Sequence, residues 1–310
     1  MSKRDTILSV LNSTTPPAYV PAGFFIHFDK SCHRGQAAID RHLEFFHHTG
    51  MDFVKIQYEN TFPRREDITC AADWARMPLY GKDFYEDQLN IIKGLIKAVG
   101  GDAPVIATVY SPFMCAGHTT GNDEINEQMR DDPQAVKKGM EIVTESLLGF
   151  VRDCIAAGVD GFFAPTQGQE SYRFADGDLF EECIQPYDLV LMQEMQQACD
   201  FNILHICDFH SGYTDLSPFL DYPGHVVNCS QEVGSQTRSL EEMAEFFSRP
   251  YMGGVDRKGV LATGTKAQIE AMVGSLVEQA PARFILGADC TLPGDIDWDN
   301  IRTAIDVAHG

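Results

Sequence analysis

The sequence predicts an α/β protein, a (β/α)8 barrel of the TIM type formed as a single domain. Three observations predict it: eight short runs rich in β-branched and aromatic residues, amphipathic helical segments alternating with them, and no linker or composition shift that would divide the chain. The runs are GFFIHFD (23 to 29), DFVKIQY (52 to 58), PVIATVY (104 to 110), VDGFFAP (159 to 165), FNILHIC (201 to 207), HVVNC (225 to 229), YMGGV (251 to 255) and RFILGAD (283 to 289). Residues 1 to 20 read as a lead-in to the first strand. Helical spacing of apolar residues marks QAAIDRHLEFFHHTG, EDQLNIIKGLIKAVG, PQAVKKGMEIVTESLLGFVRDCIAAG and KAQIEAMVGSLVEQA. Several end at glycine, and Asp132-Pro133 supplies a cap and a first-turn proline. A doubly wound open sheet is the competing α/β architecture, but it would place a glycine-rich phosphate loop after its first strand. GFFIHFDKSCHRG has none.

Composition excludes several functions. At 310 residues with 44% hydrophobic content the chain can bury a large core. Its 24 Lys+Arg against 45 Asp+Glu leave a formal charge of −21, a surface that repels phosphate backbones and anionic membranes. Nucleic-acid binding and membrane association are therefore not expected. The first twenty residues show no signal-peptide core, and no run reaches the ~18 apolar residues of a membrane span. Nine scattered cysteines make a poor disulfide framework, which fits a cytoplasmic protein with reduced thiols.

In a barrel, the active site is built at the C-terminal ends of the strands. His205 and Cys207 end the fifth run, two residues apart and so on one face of the strand. Cys290 follows the eighth run in GADCTLPGD. Any one of these cysteines alone would be read as core filler, because free Cys is among the most often buried residues. Together, two thiols and an imidazole are the donors zinc prefers, and three donors leave a fourth tetrahedral position for substrate. These three are the candidate catalytic and metal-ligating residues.

His205-x-Cys207 with Cys290 in GADCTLPGD, AAGVDGFF at the fourth strand and PGDIDWDNIRTAIDVA at the end resemble the uroporphyrinogen decarboxylase superfamily. The similarity points to its zinc-dependent branch, the methylcobamide:thiol (coenzyme M) methyltransferases. The resemblance implies a barrel in which zinc binds a small thiol while a separate corrinoid protein presents the methyl group at the barrel mouth. The similar zinc site of cobalamin-independent methionine synthase has an acidic residue on the next strand. By that analogy Cys229 or Glu232, in VNCSQE, is expected as a displaceable fourth ligand. A zinc-bound thiol is deprotonated and nucleophilic; in the reverse direction zinc polarises the heteroatom of a methylated substrate. The sequence leaves the direction open.

Two alternatives remain: a metal-free decarboxylase, and a non-catalytic metal- or thiol-binding barrel. The first lacks an arginine-rich cradle near the N-terminus and leaves the three donors without a role. Candidate substrate-binding positions at predicted strand ends are His27, Asp29, Gln57, Glu59, Tyr110, Gln167, His210 and Asp289. Asp208 to Gly212 is one residue short of the Asp-x-His-x-x-Gly corrinoid signature, so His210 reads as a rim histidine. Cys115 with His118 reads as a coincidental pair, His47-His48 as a solvated helix end, and residues 111 to 133 as a long polar loop forming part of a lid.

Overall fold

The structure is a computed structural model that describes residues 2–16, 18–174 and 177–310. Its centre is a curled parallel sheet of seven strands: β1 (Val54–Ile56), β2 (Val105–Thr108), β3 (Gly161–Thr166), β4 (Ile203–Ile206), β5 (Val226–Asn228), β8 (Tyr251–Val255) and β9 (Phe284–Ala288). Their order in the sheet is their order in the chain, as repeated strand–helix–strand crossovers require. A small antiparallel hairpin, β6 (Glu232–Val233) with β7 (Gln236–Thr237), stands outside the sheet.

The helices are α1 (Lys3–Leu11), α2 (Gly35–Thr49), α3 (Lys82–Val99), α4 (Pro112–Thr120), α5 (Asn122–Asp131), α6 (Pro133–Ala157), α7 (Asp178–Cys183), α8 (Gln185–Ala198), α9 (Leu240–Phe247), α10 (Val260–Thr263), α11 (Lys266–Glu278) and α12 (Trp298–His309). The expected boundary signals are in place. Gly50, Gly100 and Gly158 end α2, α3 and α6 in the left-handed conformation, and Asp132 Oδ1 accepts the Ala135 N–H ahead of Pro133. Gly161 is fixed by contact, since a Cβ there would lie 1.7 Å from the Phe201 carbonyl oxygen.

Two expectations need correction. Residues 23 to 29 do not form a strand; the chain bridges earlier, where Gly23 N–H donates to Leu286 O, Leu286 N–H to Pro21 O, and Asp52 N–H to Ala22 O. Side chains displace the regular ladder, because the Ala22 N–H goes to Asp52 Oδ2 and the Phe24 N–H to Met51 Sδ. Residues 111 to 133 are not a loop. Ser111 caps α4 with Pro112 in its first turn, and Gly121 (φ 115°) separates α4 from α5. The lead-in also has structure: α1 opens with a capping box from Ser2 and Asp5, and buries Ile7 and Val10 against Phe53, Ile106, Ile203, Val226, Met252 and Ile285. It plugs the N-terminal end of the sheet interior, and Arg4 pairs with Asp160.

Asp52 ties both chain ends to this edge. It is fully buried and accepts from Tyr19 OH (2.6 Å), Ala22 N–H (2.8 Å) and His309 Nε2 (2.9 Å), with Lys3 at 3.6 Å. Burial alone would raise its carboxyl pKa, but the bonds from His309, Tyr19 and Ala22 outweigh it and hold the group below its ordinary value. A depressed acid contributes stability that is complete above the unfolded pKa, near 4, and is lost as pH falls through the folded one. Asp52→Asn is therefore expected to cost about 2 kcal/mol at pH 7 and less in acid. Denaturant midpoints from pH 7 to pH 3 check this; a cost that does not shrink in acid would refute it.

Candidate metal centre

β4 sends the His205 side chain into the sheet interior, where it stacks on Phe163 at 5.0 Å between ring centroids. Its Nδ1–H donates to the Asn228 carbonyl (3.3 Å), which turns Nε2 toward Cys290 Sγ at 3.5 Å. Asn228 is itself held, donating to Met252 O and Ala288 O. Cys207 lies one residue beyond β4, fixed by its N–H to Thr166 O and by Tyr213 OH to its carbonyl. Cys290 lies two residues beyond β9, and its sulfur is 3.9 Å from that of Cys207.

All three donor atoms lie within 4.8 Å of one another on buried residues. A tetrahedron with metal–sulfur bonds of about 2.3 Å and metal–nitrogen bonds of about 2.1 Å has S···S and S···N edges of roughly 3.8 and 3.6 Å. The observed 3.9 and 3.5 Å fit those edges. Donor chemistry fits too. The contact with Cys207, with help from His205 and Arg257, holds the Cys290 thiol well below the usual range, while the same contact and burial push Cys207 up. A bound cation would draw both sulfurs into the thiolate form.

A second tier of polar groups fixes the first. Gln167 Nε2 donates to Cys207 Sγ (3.5 Å), and its Oε1 accepts from Arg173 (3.3 Å). Arg173 is completely buried and pairs with the equally buried Glu170 at 2.7 Å, while reaching Asn126 of α5. On the opposite side Arg257 bridges Asp208 (2.6 Å) and Asp289 (2.8 Å), the acidic neighbours of the two cysteines. Burial raises both carboxyls, and Arg257 works against it.

The donors form one wall of a cavity of about 290 Å³ that is also lined by His27, Lys55, Thr108, Tyr110, Met114, His118, Asn122, Phe163, Gln167 and His210. Of the expected substrate positions, His27, Tyr110, Gln167 and His210 reach it. The others do not. Asp29 is exposed and caps the turn at Ser31, Gln57 holds Lys55, Glu59 engages His27 and His33, and Asp289 belongs to the Arg257 bridge. Cys229 and Glu232 line a separate cavity with Asp208 and Asp289, so neither joins the three donors. Sequence reasoning missed Lys55, Thr108 and Asn122, and set His118 aside as half of a coincidental pair. A lysine inside an apolar strand run was a usable signal for Lys55, and the four-residue spacing of Met114 and His118 was one for His118.

With this geometry in view, the sequence and fold comparisons are specific. The family model described as Uroporphyrinogen decarboxylase (URO-D) matches residues 45–310. The chain belongs to that family. A uroporphyrinogen decarboxylase from Aquifex aeolicus is 19% identical over 68% of this chain and 62% of its own length. The methylcobamide:CoM methyltransferase MtbA of Methanosarcina mazei is 23% identical over 71% and 62% respectively. The chain thus spans a little under two thirds of the length of these two relatives. A methylated-thiol–coenzyme M methyltransferase of the same archaeon is 21% identical over 98% of this chain and 77% of its own. Among solved structures, a methyltransferase from M. mazei superposes with a TM-score of 0.75 at 14% identity, covering 99% of this chain and 98% of that one.

Proposed function

We propose that this protein is a zinc-dependent methyltransferase that moves a methyl group between a corrinoid on a separate protein and a small thiol or methylated substrate. The observation that carries the reading is the three-donor cluster in the wall of the cavity, its donor atoms within 4.8 Å of one another. Zinc there would hold the substrate sulfur as thiolate, or polarise a methylated heteroatom. His205, Cys207 and Cys290 would be its ligands, with the remaining position open to the cavity. The chain's own groups do the positioning: Asn228 sets the imidazole, Gln167 sets Cys207, and Arg257 balances the acids beside both cysteines.

A cavity of 290 Å³ is far too small for a corrin ring, so the corrinoid must be presented from outside. His210, bonded to Asn122 across the rim, and helices α4 and α5 mark the docking face. The reading treats residues 1–310 as one domain in which segment 21–23 completes a closed (β/α)8 barrel. It also places the protein in the cytoplasm, where nine unpaired cysteines persist; no helix of the described residues is long and apolar enough to cross a membrane. The decarboxylase alternative is disfavoured because no arginine lines the cavity among the described residues.

The test is demethylation of free methylcobalamin by zinc-loaded protein with a panel of small thiols. Turnover above background, with great acceleration by a cognate methyl-corrinoid protein, is expected. Zinc binding without turnover in either format would leave a non-catalytic metal-binding protein and overturn the proposal.

A further inference from the structure

His27 stands where the cavity meets solvent. It lines the cavity that holds the three donors, yet its side chain is 46% exposed, so one imidazole has an inner and an outer side. The segment that carries it is tied to the donor end of the sheet, because the Leu292 N–H, two residues past Cys290, donates to the Phe25 carbonyl at 3.0 Å. Glu59 sets the ring. Its Oε1 lies 3.0 Å from His27 Nδ1, and since a carboxylate only accepts, Nδ1 carries the hydrogen. In the neutral ring Nε2 then keeps a free lone pair, and it has no hydrogen-bond partner among the described residues. The other Glu59 oxygen faces His33 at 3.7 Å, and the His33 Nε2–H is taken by the Phe28 carbonyl.

A thiol that becomes a metal-bound thiolate must lose its proton, and that proton has to leave the cavity. No Asp or Glu lines the cavity among the described residues. The other titratable groups of its wall are poor carriers. Burial holds His118 down to about 4 and pushes Tyr110 up, so neither exchanges a proton near neutrality. Lys55, 8% exposed and enclosed by the Phe25 and Phe163 rings, can hold a proton but has no solvent side on which to release it. His210 engages Asn122 through Nε2 and has no carboxylate beside it among the described residues. His27 combines a free ring nitrogen, a carboxylate partner and contact with solvent. A carboxylate on Nδ1 fixes the tautomer and balances the charge that appears when Nε2 is protonated.

We propose that His27, positioned by Glu59, relays the proton between the cavity and solvent. When a thiol binds at the donors, its S–H bond breaks and the electron pair stays on sulfur. The proton forms an N–H bond at His27 Nε2, directly or through one water, and passes on to the bulk water that the half-exposed ring touches. In the opposite direction of methyl transfer, the imidazolium returns a proton to the heteroatom that has lost its methyl group. The identity of the proton donor rests on the proposed function; the route rests on the cavity lining and the Glu59 pair.

Stopped-flow mixing of full-length, zinc-loaded protein with 2-mercaptoethanol in weak buffer, read with a pH indicator, tests this. Wild type should release about one proton per bound thiol. His27→Ala should release it at least about tenfold more slowly, with zinc content and melting temperature unchanged. Its calorimetric affinity for 2-mercaptoethanol should match wild type, because a relay changes a rate and not an equilibrium. Imidazole in solution should restore the rate in His27→Ala and leave wild type as it is. Glu59→Gln keeps an acceptor for Nδ1 but loses the charge, so release should slow severalfold and imidazole should not restore it. A wild-type rate in His27→Ala, a slow rate that imidazole does not restore, or an affinity that falls in step with the rate would overturn the relay. Any of these beside intact methyl transfer by wild type leaves the proposed function standing. A zinc-loaded wild type that binds 2-mercaptoethanol without releasing a proton, or does not bind it, overturns the thiol reading and the relay together. Should His27→Ala fail to fold, Glu59→Gln decides: severalfold slower release at unchanged affinity supports the relay, and a wild-type rate refutes it.

Discussion

Cys290→Ser is expected to lose most of its zinc while Cys229→Ser retains it, a contrast that separates a specific site from a general reaction of buried thiols. Binding free energies for zinc at structural sites run to about 10–16 kcal/mol over four ligands, so one thiolate contributes about 2.5–4 kcal/mol, or roughly 10²- to 10³-fold in affinity. A serine hydroxyl is not deprotonated as a thiol is and does not replace that contribution. Cys207→Ser should behave like Cys290→Ser, because each sulfur supplies one corner of the same donor set. Cys229 has similar burial but opens on the other cavity. Methyl transfer should follow zinc content in all three variants. Metal analysis after exhaustive dialysis, with competitive chelator titration, gives the numbers; zinc retained by both Cys207→Ser and Cys290→Ser would sink the assignment.

The donors were legible because strand pattern and donor chemistry converge at two places in the chain. His205 and Cys207 two apart at the end of an apolar run, and Cys290 just past the last run, need only the topology to bring them together. Seven of the eight expected strands formed for the same reason: a buried parallel strand is a short apolar run between turn signals. The failures are equally physical. GFFIHFD has strand composition, but its pairing was displaced toward Pro21 by the Asp52 carboxylate and the Met51 sulfur, contacts made 30 and 27 residues away. The polar stretch 111 to 133 read as a loop because α5 is so charged, whereas its buried Ile125 and Met129, four apart, carry the helix. Glu232 looked like a ligand by order along the chain, yet it faces Thr237 across a hairpin that composition did not reveal. Lys55 was passed over in favour of Gln57 and Glu59, which stand nearer the strand end. Side-chain direction, which decides what enters a cavity, depends on where a strand stops.

Arg173 is the residue outside the donor set whose loss should be felt most. Its guanidinium is wholly buried and satisfies Glu170, Gln167 and Asn126 together, so it joins α5 to the loop after β3 and, through Gln167, to Cys207. Arg173→Met leaves the Glu170 carboxylate buried without its cation, a change that costs about 3–5 kcal/mol when one partner of a buried pair is removed. For a chain of this size the melting temperature should fall by on the order of 10 °C. The double variant Arg173→Met/Glu170→Gln removes the stranded charge and should recover much of that loss, since the net contribution of a buried pair over neutral groups of similar shape is small. The recovery will be incomplete, because the Gly168 N–H also donates to Glu170 and a glutamine accepts that bond more weakly. Local and global effects separate in the metal: with Gln167 no longer held, zinc affinity should drop about tenfold even below the melting transition, as losses of outer partners commonly do. Thermal unfolding of wild type, both single variants and the double variant gives the coupling energy, and chelator titration gives the metal term. A double variant no more stable than Arg173→Met, with zinc affinity unchanged throughout, would show that the pair neither carries a buried charge balance nor reaches Cys207.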